Sequence, residues 1–524
     1  MENVIKKRVM NYQNPVIPGF HPDPSICKVG EDFYLVTSSF EYFPGVPIFH
    51  SRDLVNWKQI GYCLTRESQL NLNKCPPSSG IWAPTLRYHQ GTFYMITTNY
   101  NAQAKKDEKG YGKFFVKTTD PTGEWSEPIF IDQPGIDPDL FFDDDGKVYV
   151  HSNDAFTDSK GGVYQVEIDI ETGEVLSENT LIHEGTGGIY PEGPHLYKID
   201  GWYFLLMSEG GSQMGHYISI SRSKSVSGPF ENCPRREILT HKDRPGEARE
   251  IQGTGHADLI QAEDGSWWMV FLAFRHSEAF FYHLGRETYL SPIKWEDGWP
   301  VVLNPGEPDG TVSTTVDYKP LAPQKEQVTD IVEKFDQSEL APYWNYLRNP
   351  ISENYAFGNP NGLTLTANSK SINDIDASTL LCIRQQAFES TASTKIDFSP
   401  IQKGDEAGLI IFYNHEQHYE VFITNGENGH EIQVRRSVGD LSSIVAKHSI
   451  QDNKAELCIK SDRLNYYLGY MDNSKFTQLA SGRSRYLSTE STLCSFTGVF
   501  YGLYCTSKND TKAKANFSEF KLKY

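Results

Sequence analysis

The stretch Gly30-Glu31-Asp32-Phe33-Tyr34-Leu35-Val36 joins a turn to a short aromatic and apolar strand, and the chain repeats this pattern four more times. The later copies are Gln90-Gly91-Thr92-Phe93-Tyr94-Met95-Ile96, Asp145-Gly146-Lys147-Val148-Tyr149-Val150, Asp200-Gly201-Trp202-Tyr203-Phe204-Leu205 and Asp264-Gly265-Ser266-Trp267-Trp268-Met269-Val270. Their second aromatics, Tyr34, Tyr94, Tyr149, Tyr203 and Trp268, follow one another at intervals of 60, 55, 54 and 65 residues. Units of that length, with several short strands set between Gly, Asp, Ser and Pro turns, are what a four-stranded propeller blade requires. Solenoid repeats are normally shorter, and separate sandwiches do not repeat at this period. Five units predict an all-β chain that opens with a five-bladed β-propeller over residues 14–318.

Beyond Val316 the texture changes. Tyr318-Lys319-Pro320-Leu321-Ala322-Pro323-Gln324-Lys325-Glu326 holds prolines and polar residues that suit neither a helix nor a strand interior, so 319–327 reads as a linker. From 328 to 524, stretches such as Leu363-Thr364-Leu365-Thr366 and Tyr419-Glu420-Val421-Phe422-Ile423 alternate polar with apolar residues. Short alternating strands over that length predict a second domain built as a two-sheet β-sandwich.

Composition narrows the partners. The 524 residues carry 49 Lys and Arg against 68 Asp and Glu, a formal charge of −19 that repels nucleic-acid phosphates and anionic membranes. No apolar run reaches the roughly 20 residues of a membrane span. Aromatics make up 13% of the chain, which suits strands and surfaces on which sugar rings stack. The eight cysteines have neither CxxC pairing nor zinc-ligand spacing and read as buried or half-buried thiols. Lys6, Lys7 and Arg8 are followed by no apolar stretch, so the sequence as it stands carries no export signal. That points to the cytoplasm, with the periplasm open if a leader has been removed.

In a propeller the first strand of each blade lines the axis, so equivalent positions of successive blades converge. Eleven or twelve residues before each aromatic marker stand Asp23, Ala83, Asp137, Glu192 and His256. Asp-Pro and Glu-Gly-Pro pairs also favour turns. Three acids in register around one axis, however, repel each other and lose hydration, which a purely structural role does not explain. Paired carboxylates in an aromatic pocket are the apparatus of glycoside hydrolysis: one acts deprotonated, and one donates to the leaving oxygen. A third acid can raise the donor's proton affinity by like-charge repulsion.

These motifs resemble glycoside hydrolase family 43 over almost the whole chain. The resemblance rests on Asn14-Pro15-Val16 through His21-Pro22-Asp23-Pro24-Ser25, on Gly135-Ile136-Asp137-Pro138, and on Pro191-Glu192-Gly193-Pro194-His195-Leu196-Tyr197. It implies Asp23 as general base, Asp137 as modulator of proton affinity, Glu192 as general acid, and inversion by single displacement. Trp82, in Gly80-Ile81-Trp82-Ala83-Pro84, and Phe40, in Ser38-Ser39-Phe40-Glu41-Tyr42-Phe43-Pro44-Gly45, look like sugar-contacting aromatics, with blade packing as the alternative. Arg286 resembles an active-site arginine, against a surface salt bridge. His256 resembles an axial histidine that in relatives binds a central water or calcium. The resemblance requires no cofactor but allows a structural calcium at the axis. The run Asp143-Asp144-Asp145 reads as a solvated hairpin turn rather than a metal site.

The second domain resembles the concanavalin-like jelly-roll module of the family's exo-acting pentosidases, through Arg384-Gln385-Gln386, Ala407-Gly408-Leu409 and Phe496-Thr497-Gly498-Val499-Phe500. An aromatic from the last segment would close the pocket, with Phe496 the candidate and Phe500 its competitor. The expectation is an exo-acting hydrolase releasing terminal α-L-arabinofuranosyl or β-D-xylosyl units from hemicellulose oligosaccharides, with the choice between the two sugars and the oligomeric state open. The alternatives are an endo-arabinanase and a non-catalytic propeller lectin.

Overall fold

The computed structural model describes residues 11–101, 110–154, 161–243, 250–304, 310–358, 362–427, 429–491 and 495–524. Five antiparallel sheets follow one another along the first part of the chain, each containing one of the repeat's strands. The innermost strands are Ser25–Val29, Thr85–His89, Ile136–Phe142, Glu192–Ile199 and Ile251–Gln261, and each pairs with the repeat strand that follows it. These pairs turn through the repeat's polar residues. At Gln90-Gly91 and Asp200-Gly201 both residues have positive φ, the tight hairpin that glycine accepts at no steric cost. The first strand, Tyr12–Gln13, pairs with Thr315–Val316, so the two ends of the propeller are stitched together.

One layer below the axial acids, the five inner strands are tied by buried polar groups. Arg87 of blade 2 reaches Asp139 of blade 3 at 2.7 Å and Asp258 of blade 5 at 2.9 Å, and lies 2.9 Å from His195 Nδ1 of blade 4. Ser25 of blade 1 and Tyr197 of blade 4 donate their hydroxyls to the same Asp258. Every blade enters this network, which fixes their relative height. Asp144 and Asp145 of the acidic run are exposed, as a hairpin turn requires. Asp143 corrects the sequence reading: it is buried and accepts from Lys198 Nζ at 2.9 Å and Tyr203 OH at 2.8 Å, pinning blade 3 to blade 4.

The rest of the chain supplies fifteen of the sixteen strands of two eight-stranded antiparallel sheets packed face to face. Alternation sorts the strand Phe500–Ser507 between two cores. Tyr501, Leu503 and Cys505 enter the core between the sheets, while Phe500 and Tyr504 face the propeller. There they meet Phe20, Phe40 and Tyr42, and Tyr42 stacks on Phe500 at 4.0 Å. Burying each such ring contributes roughly 1.5–3 kcal/mol. The joint is also a backbone one: Tyr42–Phe43, from the blade 1 segment, pairs with Asn345–Leu347 and becomes the edge strand of a sandwich sheet.

The seven described cysteines are free and buried, and Cys494 lies outside the described residues. No helix among the described residues is long and apolar enough to cross a membrane.

Candidate active site

The axial positions are set by a backbone irregularity repeated from blade to blade. Asp23, Asp137 and His256 all have φ near +50°, and Gly193, beside Glu192, has φ +56°. The pairing register slips at the same places, between Ile136 and Asp139, between Glu192 and His195, and between Gly255 and Asp258. Such bulges turn a side chain out of the sheet and bend the strand. In blades 3 to 5 they re-aim the motif residue toward the axis. In blade 2 the inner strand is broken between Ile81 and Thr85, and Ala83 brings no charge there.

Asp23, Asp137, Glu192, His256 and Arg286 come together at the axis. Arg286 Nη1 donates to Asp23 Oδ1 at 3.2 Å, Ser38 Oγ donates to Asp23 Oδ2 at 2.5 Å, and His256 Nδ1 lies 3.5 Å from Asp23 Oδ1. The segment carrying Asp23 is moored to blade 5, because His21 donates its N–H to Arg286 O and Thr288 Oγ1 donates to His21 O. Asp137 Oδ2 accepts the backbone N–H of Gly193 at 3.3 Å, so the third acid holds the peptide next to Glu192.

The proton affinities of Asp23 and Asp137 are pushed in opposite directions. Burial works to raise Asp23, but Arg286, His256 and the Ser38 hydroxyl outweigh it and hold the carboxyl below its usual range. Burial, then the charges of Glu192 and Asp23, push Asp137 well above its usual range. His256 is lowered to about 4 by burial, against the pull of Asp23 and Glu192, and is neutral at ordinary pH.

Above the acids stands an aromatic wall built from both domains. Phe40 and Phe496 lie 6.1 Å apart between ring centres, and Trp82 meets Phe496 edge-on at 6.1 Å. The Arg286 guanidinium sits 5.8 Å from the Phe40 ring and 5.5 Å from the Phe496 ring. Phe40 is 2% exposed and belongs to the interdomain core, whereas Trp82 and Phe496 are half-buried. Phe500, the alternative to Phe496, is fully buried against Tyr42 and faces no pocket.

Among the described residues no three His, Cys, Asp or Glu side chains are arranged to hold a metal, and His256 Nδ1 is turned to Asp23. No step below runs through a metal.

Three residues at the site carried no sequence expectation. Ser38 stands in the motif quoted for Phe40, and its contact with Asp23 depends on the fold of blade 1. Ser78 accepts the Trp82 indole N–H on its carbonyl and the Phe496 N–H on its hydroxyl. His216, from a loop outside the repeat register, places Nε2 3.3 Å from Glu192 Oε1.

The family model for Glycosyl hydrolases family 43 matches residues 12–300, which contain all three axial acids. The chain belongs to glycosyl hydrolase family 43. A second family model, the beta xylosidase C-terminal concanavalin A-like domain, matches residues 332–523 of this family 43 chain. A non-reducing end alpha-L-arabinofuranosidase of Bacteroides ovatus is 37% identical over 97% of the chain and 93% of its own length. A xylosidase/arabinosidase of Butyrivibrio fibrisolvens is also 37% identical, over 95% and 96% of the two chains. The solved Bacteroides ovatus xyloglucan PUL GH43B superposes with a TM-score of 0.91 at 37% identity, covering 98% of this chain and 99% of its own. The protein is a glycoside hydrolase whose catalytic propeller is built onto its sandwich.

Proposed function

We propose that this hydrolase removes terminal α-L-arabinofuranosyl or β-D-xylosyl units from hemicellulose oligosaccharides by single displacement. The observation that carries the reading is the convergence of three acids on one axis, with Asp23 held by Arg286 and Ser38 and with Asp137 bound to the peptide that carries Glu192. Asp23, ionised, takes a proton from a water. The water oxygen attacks the anomeric carbon from the face opposite the leaving group. As the glycosidic bond breaks, Glu192 gives its proton to the departing oxygen, and the sugar leaves with inverted configuration. Asp23 has then gained one proton and Glu192 has lost one, and exchange with solvent resets the pair. Asp137, the modulator, accepts the Gly193 N–H and so holds the peptide that carries the acid.

The exo preference rests on Phe496, which the sandwich brings against Trp82 and so narrows the pocket from one side. An endo-acting arabinanase needs an open groove there. A lectin has no use for three acids gathered around one axis.

The test is hydrolysis of an aryl α-L-arabinofuranoside and an aryl β-D-xylopyranoside by the wild type and by Glu192→Gln. The wild type releases phenol from at least one, and the ratio names the preferred pentose. The variant loses on the order of 10²–10⁴ in kcat on a poor leaving group. No release from either glycoside by the wild type overturns the proposal.

A further inference from the structure

His216 stands at the top of blade 4, immediately before the strand Tyr217–Ser223, and its ring is completely buried. A turn whose His216 N–H donates to Gln213 O fixes its backbone. The ring is wedged between blades 4 and 5 in space left by a missing side chain: a Cβ on Gly255 would fall 2.0 Å from His216 Cε1. Gly255 precedes the axial His256, so the chain gives up a side chain at the axis of blade 5 to admit an imidazole from blade 4.

Once there, the imidazole has little to bond. Among the described residues neither ring nitrogen has a hydrogen bond of full geometry, and the polar atom in reach is Glu192 Oε1, 3.3 Å from Nε2. A buried polar group without a partner destabilises the fold, so a ring held this way calls for a functional reason. The other titratable groups that bear on it are Asp23 and His256.

We infer that His216 is a positioning residue for proton delivery by Glu192. Once this 3.3 Å approach tightens to a hydrogen bond in the substrate complex, Oε1 is an acceptor and the transferable proton is left on Oε2, the oxygen free to face the glycosidic bond. Without the imidazole the carboxyl rotates and its proton is shared between both oxygens, so fewer bound complexes present it to the leaving group. The inference rests on Glu192 acting as the acid, as proposed above.

The experiment compares kcat on a series of aryl glycosides of the preferred pentose, from 2,4-dinitrophenyl to 4-methoxyphenyl. A dinitrophenolate leaves without protonation, whereas a methoxyphenol depends on it. His216→Phe is expected to lose at least tenfold more on the methoxyphenyl glycoside than on the dinitrophenyl one. His216→Gln, whose amide can again offer an N–H, recovers most of that difference. If the phenylalanine variant does not fold, His216→Leu serves the same comparison. Equal losses across the series, or no loss at all, overturn the inference. A wild type that cleaves no pentoside instead overturns the proposed function, so the two failures are told apart.

Discussion

The hydroxyl of Ser78, in the propeller, accepts the backbone N–H of Phe496, in the sandwich, at 2.8 Å. The same serine's carbonyl accepts the Trp82 indole N–H at 3.0 Å. One residue thus sets two of the three rings of the aromatic wall, and it couples the second domain to the pocket. Phe496→Ala should therefore raise KM for a pentose disaccharide by about tenfold, near 1.4 kcal/mol, with a smaller change in kcat. Steady-state kinetics check this. An unchanged KM would place Phe496 outside the binding surface.

Asp23→Asn keeps acceptors for Ser38 and Arg286 but cannot take a proton from water. It should lower kcat by on the order of 10²–10⁴ while the melting temperature moves by only a few degrees. Sugar release and thermal unfolding, measured together, separate lost chemistry from lost fold.

Arg87 is the cation shared by the buried Asp139 and Asp258. Arg87→Met leaves both carboxylates without it, and breaking a buried ion pair from one side costs about 3–5 kcal/mol. The loss should be largest near pH 7 and smaller in acid, where the stranded carboxylates take up protons. Denaturant unfolding at two pH values reads the difference. A variant as stable as the wild type at pH 7 contradicts the bracing role.

Glu41 lies at the joint between the domains, accepting the Ser78 N–H, and burial pushes it up to about 7 from an ordinary 4.5. The folded protein thus holds this proton more tightly than the unfolded chain. Its contribution, about 3 kcal/mol, is fully present below pH 4.5 and is lost as pH rises through 7. Glu41→Gln should consequently gain stability over the wild type at pH 8 and show little gain at pH 4.5. Melting curves across that range test the sign.

How much of this was legible in the sequence depends on what each residue answers to. The blades were legible because the hairpin turn and its aromatic strand recur, and the axial placement of Asp23, Asp137, Glu192 and His256 follows from a constant offset to those strands. The left-handed backbone that aims three of these side chains leaves no mark, since Asp, unlike Gly, does not announce a positive φ. His216 was invisible because it reaches the axis from the loop between the second and third strands of its blade, outside the repeat register. The choice between Phe496 and Phe500 turned on strand alternation at an interface that pattern reading does not locate. Tyr42–Phe43 reads as part of a propeller blade, and only the tertiary fold hands it to the sandwich.

The most direct test of the central claim is NMR of the first-formed sugar when the wild type digests a pentose oligosaccharide with a defined non-reducing end. Asp23 and Glu192 acting across one water predict a single terminal pentose, released first with the anomeric configuration opposite to that of the bond cleaved. First release of the retained anomer would contradict single displacement, and internal fragments would contradict exo action.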